Sequence, residues 1–207
     1  MRVGGFGGTD GLTQYLLTEQ IDAVVDATHP FAARMPHHAT DACRTAAVPR
    51  VRLCRPPWQA AEGDRWHEVP DLDAAADFLV SSDRRRVFLT TGRQELEPFT
   101  RAADAWFLVR AIEPPASMPL PCATVVLARG PFREADERAL MVEHRIDVLV
   151  AKNSGGTATA AKLAAARTLA LPVVMITRPR GPGGPHVSTV EDVIAWLDGP
   201  ANESAPA

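Results

Sequence analysis

"IDAVVDATHPFAARM", residues 21–35, passes from a β-branched apolar run into a histidine, a proline and then helix-forming residues. A near-echo stands at 146–169, "IDVLVAKNSGGTATAAKLAAARTL". Each reads as a strand turning into a helix, and two such corners in one chain decide the fold class. Further short runs rich in Val, Ile, Leu and Phe lie at 50–54, 86–91, 106–111, 124–128 and 172–177. None alternates cleanly between apolar and polar residues, as expected of strands buried on both faces of a parallel sheet. Helical patterns over 9–20, 31–47, 71–81, 133–144, 157–170 and 189–198 separate them. The repeating strand–helix order predicts an α/β chain built on parallel sheets.

The 207 residues suit one large α/β domain or two small ones, and with 46% hydrophobic residues the chain can bury a substantial core. Pro-rich segments punctuate it at 55–58 (RPPW) and 111–123 (AIEPPASMPLPCA), the second long enough for a domain connection. "RPRGPGGPHV", 178–187, is too rich in Gly and Pro for a regular element, and reads as a mobile lid or merely a flexible connection.

The net charge is only −3, and all but two of the 22 basic residues are arginines scattered along the chain. That distribution argues against nucleic acid as a partner. Arginine instead suits carboxylate and phosphate, which its planar fork grips at two points. Cys43, Cys54 and Cys122 are odd in number and lack CxxC spacing, so neither a disulfide framework nor a zinc site is expected and a reducing cytoplasm is the natural setting. The adjacent His37 and His38 point in different directions on a helix, so no metal is expected. No run is long enough to predict a membrane span.

In open α/β sheets ligands bind beyond the carboxyl ends of the strands, so residues there are the first candidates for a site. In "DATHPFA", His29 reads as a helix N-cap and Pro30 as the first helical residue, which would place Asp26, Thr28 and His29 at that edge. An anion-binding corner and a plain capped turn are both open readings. In "TTGRQE", 90–95, Gly92 permits close approach and Arg93 projects. "LARGPF", 127–132, repeats the pattern with Arg129. "AKNSGG", 151–156, places Lys152 at a strand end before Ser154 and Gly155, yet matches neither established glycine-rich nucleotide fingerprint. The glycine-rich "GGFGG", 4–8, is also an incomplete fingerprint. His29, Arg55, Arg93, Arg110, Arg129, Lys152 and Arg178 all fall at strand ends. That cationic set predicts a polyanionic ligand, with the chemistry left to a cofactor.

Taken in order, "VDATHPFA", "RPPW", "TTGRQE", "WFLVR", "LARGPF", "AKNSGG" and "LPVVMI" followed by "RP" resemble the successive motifs of the precorrin-6A reductase family of cobalamin biosynthesis. The resemblance runs from residue 2 to about residue 198. It implies two Rossmann-like parallel-sheet domains, one for NADPH and one for precorrin-6A, a tetrapyrrole with many carboxylate arms. It also implies reduction of one macrocycle double bond to give precorrin-6B, with the next pathway enzyme as a possible partner. The domains expected are 1–90, an incomplete dinucleotide-binding domain lacking a central strand, and 91–199, a tetrapyrrole-binding domain, followed by a disordered tail at 200–207. The family pattern includes a further strand, a "GGTxEAR"-like turn, a helix and a second strand, roughly 40–50 residues, ahead of "MRVGGFGG". Without that segment the alternative is a non-catalytic tetrapyrrole or polycarboxylate binder. Gly7, Gly8, Thr28, His29, Thr91 and Gly92 are expected to face the cofactor. His29, Arg55, Arg93, Arg129, Lys152, Ser154, Gly155 and Arg178 are expected to hold the substrate.

Overall fold

The computed structural model describes residues 4–199, and the expected tail at 200–207 lies outside them. The chain forms two compact units, one of residues up to Pro56 together with those from Pro179 onward, the other Pro57–Arg178. This differs from the expected division at residue 90. The chain leaves the first unit at the Pro-rich stretch 55–58 and returns at 178–179.

The first unit carries helices α1 (Gly8–Thr18), α2 (Met35–Ala46) and α6 (Val190–Asp198), with strands β1 (Val24–Asp26), β2 (Arg50–Leu53) and β9 (His186–Val187). Its parallel sheet has the order β1-β2-β9, with Val24 opposite Arg50 and Arg52 opposite His186. These strands are direct neighbours, so among the described residues no central strand is skipped. Leu12 and Leu16 of α1 pack against Ala39, Ala42 and Cys43 of α2. The small residues at i, i+3 and i+4 on α2 let the two helices approach closely.

The second unit holds a six-stranded, all-parallel sheet in the order β3-β8-β7-β4-β5-β6. Its strands are β3 (Arg65–Val69), β4 (Arg86–Leu89), β5 (Trp106–Ala111), β6 (Ala123–Leu127), β7 (Val148–Lys152) and β8 (Pro172–Ile176). Helices α3 (Leu72–Ser81), α4 (Glu134–Glu143) and α5 (Ala161–Thr168) make connections between them. The central runs are sealed on both faces: Val87, Phe88 and Leu89, then Val148, Leu149 and Val150, are all at 0% exposure. Phe88, Leu108, Leu149 and Met175 share one core cluster with Met141 of α4 and Leu163 of α5. Burial on both faces explains why these strands show no alternation.

β4 lies between β5 and β7. The chain after β4 runs to β5 on one side, whereas the chain after β7 runs through α5 to β8 on the other. The strand order therefore reverses between β4 and β7, and the carboxyl ends of these two strands open a crevice.

Leu149→Ala, at the centre of this core, is expected to cost about 2–5 kcal/mol. Leu127→Ala on the edge strand, 54% exposed, should stay within about 0.5 kcal/mol. Urea unfolding of the two variants checks the assignment, and equal losses would contradict it.

Candidate active site

The crevice between β4 and β7 contains a hollow of about 440 Å³ lined by Thr91, Gly92, Arg93, Gln94, Glu95, Ile112, Glu113, Arg129 and Lys152. Each residue arrives from a strand end: Thr91 to Glu95 follow β4, Ile112 and Glu113 follow β5, Arg129 follows β6, and Lys152 closes β7. Gly92 turns the chain at φ +105°, and a Cβ there would stand in open space. Any other residue would be strained in that left-handed conformation. The Thr91 side chain is buried, and its hydroxyl has no hydrogen-bond partner among the described residues.

The hollow is cationic but not bare. Arg93 Nη2 pairs with Glu113 Oε2 at 2.8 Å, and Arg93 Nη1 donates to the Pro114 carbonyl at 3.0 Å. Lys152 Nζ is ion-paired with Glu95 Oε2. Arg129 is exposed and forms no ion pair among the described residues. Three cations against two carboxylates leave an excess positive charge, which suits an anionic ligand. Beside this hollow, in the loop after β7, Ser154 and Gly155 are buried, and Arg178 Nε donates to the Asn153 carbonyl at 2.7 Å. Asn153 also binds the crossing segment, accepting from Trp58 N at 2.7 Å and donating to the Trp58 carbonyl at 3.0 Å.

The corner at Thr28 and His29 differs from expectation. α2 begins at Met35, with Arg34 as N-cap and Pro36 in its first turn, so His29 is not the cap and Pro30 is not the first helical residue. The buried Asp26 causes this. Its Oδ1 accepts from Thr28 N at 3.1 Å and from Thr28 Oγ1 at 2.6 Å, closing a side-chain turn that delays the helix. The exposed His29 instead accepts from Phe31 N at 3.3 Å through Nδ1. On the other carboxylate oxygen, Asp26 Oδ2 lies 3.6 Å from Arg52 Nε and 3.9 Å from Arg50 Nη1.

Those two arginines fasten the Gly/Pro-rich return segment within the first unit. Arg50 Nη2 donates to the Gly183 carbonyl at 3.0 Å, and a Cβ at Gly181 would collide with the Arg52 guanidinium. The segment is thus a held connection that carries β9, which differs from the expectation of a flexible stretch without a regular element. At the other end of this unit, Gly7 caps α1 in a left-handed conformation, φ +87°, with no side-chain cap on the helix N–H groups. Gly8 beside it faces open space, and Gly11 lets the Phe6 carbonyl sit where a Cβ would otherwise collide. Arg55 is exposed.

The chain matches the family described as precorrin-6x reductase CbiJ/CobK over residues 1–198. It belongs to that family. Members are oxidoreductases acting on a double bond of the precorrin ring. The chain is 52% identical over 200 residues to a precorrin-6A reductase of Rhodococcus erythropolis, covering 95% of this chain and 79% of that protein. It is 30% identical over 199 residues to a cobalt-precorrin-6A reductase of Priestia megaterium, covering 91% and 77%. A solved structure described as CobK precorrin-6A reductase superposes with a TM-score of 0.89 at 44% identity, covering 95% of this chain and 78% of that one. The expected α/β fold with two parallel sheets agrees with this likeness.

Of the expected site residues, Thr91, Gly92, Arg93, Arg129 and Lys152 meet in one hollow of the second unit. The two expected to face the cofactor, Thr91 and Gly92, and the three expected to hold the substrate line the same hollow. Gly7, Gly8, Thr28, His29 and Arg55 belong to the first unit. Arg110 serves the core rather than a ligand. It makes a two-pronged pair with the buried Glu137 of α4, at 2.7 and 2.9 Å, and stacks over the Phe88 and Phe132 rings. Glu95 and Glu113 escaped the reading of single motifs, because nothing in the sequence says that the ends of β4, β5 and β7 converge. No helix among the described residues is long and apolar enough to cross a membrane.

Near the Arg110–Glu137 pair, Lys162 of α5 is buried with its ammonium 5.4 Å from the Trp58 ring centre. Burial and then repulsion by Arg110, partly countered by Glu137, push its pKa down to about 8. The folded form therefore loses this proton before the unfolded form does. Stability rises between about pH 8 and the ordinary lysine value of 10.5, and below pH 8 the cost of the buried charge is constant. Lys162→Met is expected to stabilise the protein by about 1–3 kcal/mol at pH 7, with the gain shrinking toward pH 10. Denaturant unfolding at pH 7 and pH 9.5 checks this; a loss of stability at pH 7 would contradict it.

Proposed function

We propose that the chain reduces precorrin-6A with NADPH, saturating one double bond of the macrocycle to give precorrin-6B. The observation that carries this reading is the convergence of Arg93, Arg129 and Lys152 on one hollow at the sheet's switch point, in a chain of the precorrin reductase family. A tetrapyrrole bearing many carboxylates needs several such cations at once, and fixing several arms orients the ring. Arg129 offers a guanidinium with no ion pair among the described residues. Arg93 and Lys152 offer cations held in place by their own acids. Ser154, Gly155 and Arg178 extend the proposed substrate surface at the adjoining strand ends.

The residues of the first unit fit a dinucleotide. The uncapped N-terminus of α1 and the open glycines Gly7 and Gly8 leave backbone N–H groups available to a diphosphate. Thr28 and His29 are proposed to face the same cofactor, and His29, with Nδ1 accepting from Phe31 N, and Arg55 are proposed to donate N–H groups to carboxylate arms. When bound, NADPH would supply the hydride for saturating the double bond, with the accompanying proton drawn from solvent. The work of this chain is to hold the ring by its arms and to exclude disordered approaches. A binder without turnover is not favoured, since the relatives compared are named as reductases. The greater identity to a precorrin-6A reductase, 52% against 30%, favours the cobalt-free ring over the cobalt-bound one. The chemistry, the free cysteines and the likeness to biosynthetic enzymes support a cytoplasmic setting.

The test is NADPH oxidation followed at 340 nm under anaerobic conditions with precorrin-6A. One NADPH consumed per precorrin supports the reading, and no precorrin-dependent oxidation would contradict it. In the same assay Arg129→Gln is expected to raise KM about tenfold, the loss of one charge-assisted contact, with a smaller change in kcat.

A further inference from the structure

The two carboxylates in the hollow are not equivalent. Lys152 and Glu95 are largely enclosed, with side chains 13% and 31% exposed, whereas Arg93 and Glu113 are 40% and 63% exposed. Arg93 is also held from a second direction by the Pro114 carbonyl. It further lines a neighbouring hollow of about 400 Å³, together with Gln94, Leu96, Glu97, Ala116, Ser117 and Pro119. Arg93 thus lines both hollows, and its guanidinium has one edge fixed to backbone and the other engaged by an exposed carboxylate.

We propose that Glu113 is a placeholder: its carboxylate occupies the edge of Arg93 that a carboxylate arm of the tetrapyrrole takes on binding. The proposal rests on the reading of the hollow as the tetrapyrrole site. Three features carry it. The Glu113 side chain is mostly in water, so the Arg93–Glu113 pair is weak and gives way without loss of packing. The Pro114 carbonyl keeps Nη1 aimed while Nη2 exchanges one carboxylate for another. Arg129, without an acid of its own among the described residues, takes a first arm and tethers the ligand, so that a second arm competes with Glu113 at high effective concentration. A ligand with few carboxylates lacks that advantage. Glu113 therefore acts on specificity, favouring polycarboxylates, while Glu95 stays in place as the positioning partner of Lys152.

The test uses the full chain at low ionic strength with two stable porphyrin probes, the octacarboxylate uroporphyrin and the tetracarboxylate coproporphyrin, and binding read by fluorescence quenching. Glu113→Gln is expected to tighten uroporphyrin binding about two- to fivefold, and coproporphyrin binding by more, narrowing the ratio between them. In an Arg93→Gln background the same change should do nothing, because the placeholder acts only through Arg93. An unchanged or weakened affinity on Glu113→Gln, an unchanged ratio, or an equal gain without Arg93 would overturn the proposal. Arg129→Gln separates the two levels. If it weakens uroporphyrin while Glu113→Gln has no effect, the placeholder alone falls. If it has no effect, the hollow is not a carboxylate site, and both readings fall.

Discussion

The parallel pairing of β4 with β7, from Val87 opposite Val148 to Leu89 opposite Val150, is the contact on which the second unit depends. It joins two halves whose connections run in opposite directions, so the carboxyl ends of β4 and β7 have no helix passing between them. The crevice is a consequence of topology. Its lining follows from what each strand carries just past its end: Thr91 and Gly92 after Leu89, Glu113 after Ala111, Arg129 after Leu127, Lys152 at the end of β7. The apolar strands lock the register, and the register sets which polar residues meet.

Charge is handled differently in three places. In the hollow, Arg93 and Lys152 are held by Glu113 and Glu95, and Arg129 is left without an acidic partner among the described residues. Beneath the sheet, Arg110 and Glu137 satisfy one another in a two-pronged pair and take no part in the proposed binding. In the first unit, Arg50 and Arg52 face the buried Asp26 and hold the return segment at Gly181 and Gly183. Arginine abundance is therefore not one signal. A buried guanidinium facing a buried carboxylate is architecture, whereas an exposed one at a strand end is available for ligand.

Most of the strands and the six α-helices among the described residues were legible from apolar runs and their spacing. β3 was not, because "RWHEV" is an edge strand that exposes Arg65, His67 and Glu68 and so lacks an apolar run. β9 spans the last two residues of the Gly/Pro-rich segment 178–187, too short to leave a pattern. The expected division at residue 90 fails because the first unit takes β9 and α6 from beyond Pro179, which composition does not show; the stretch 111–123 has the composition of a linker. It is instead the loop between adjacent strands β5 and β6, tied to Arg93 through Glu113 and Pro114. The helix start after His29 was misjudged because Asp26, two residues before Thr28, captures the chain first. The glycines and cations at strand ends were legible one by one. That Gly92, Arg93, Arg129 and Lys152 share a hollow with Thr91 depends on strand order, which local sequence does not encode.

The central claim is that the crevice between β4 and β7 receives the carboxylate-bearing ring, and hydrogen exchange read by mass spectrometry on the full chain tests it most directly. Addition of precorrin-6A should slow exchange in peptides covering residues 90–95, 112–114, 128–132 and 152–156, and leave the far ends of β4 and β7 unchanged. Protection absent from all four of these segments, with binding otherwise demonstrated, would contradict the account.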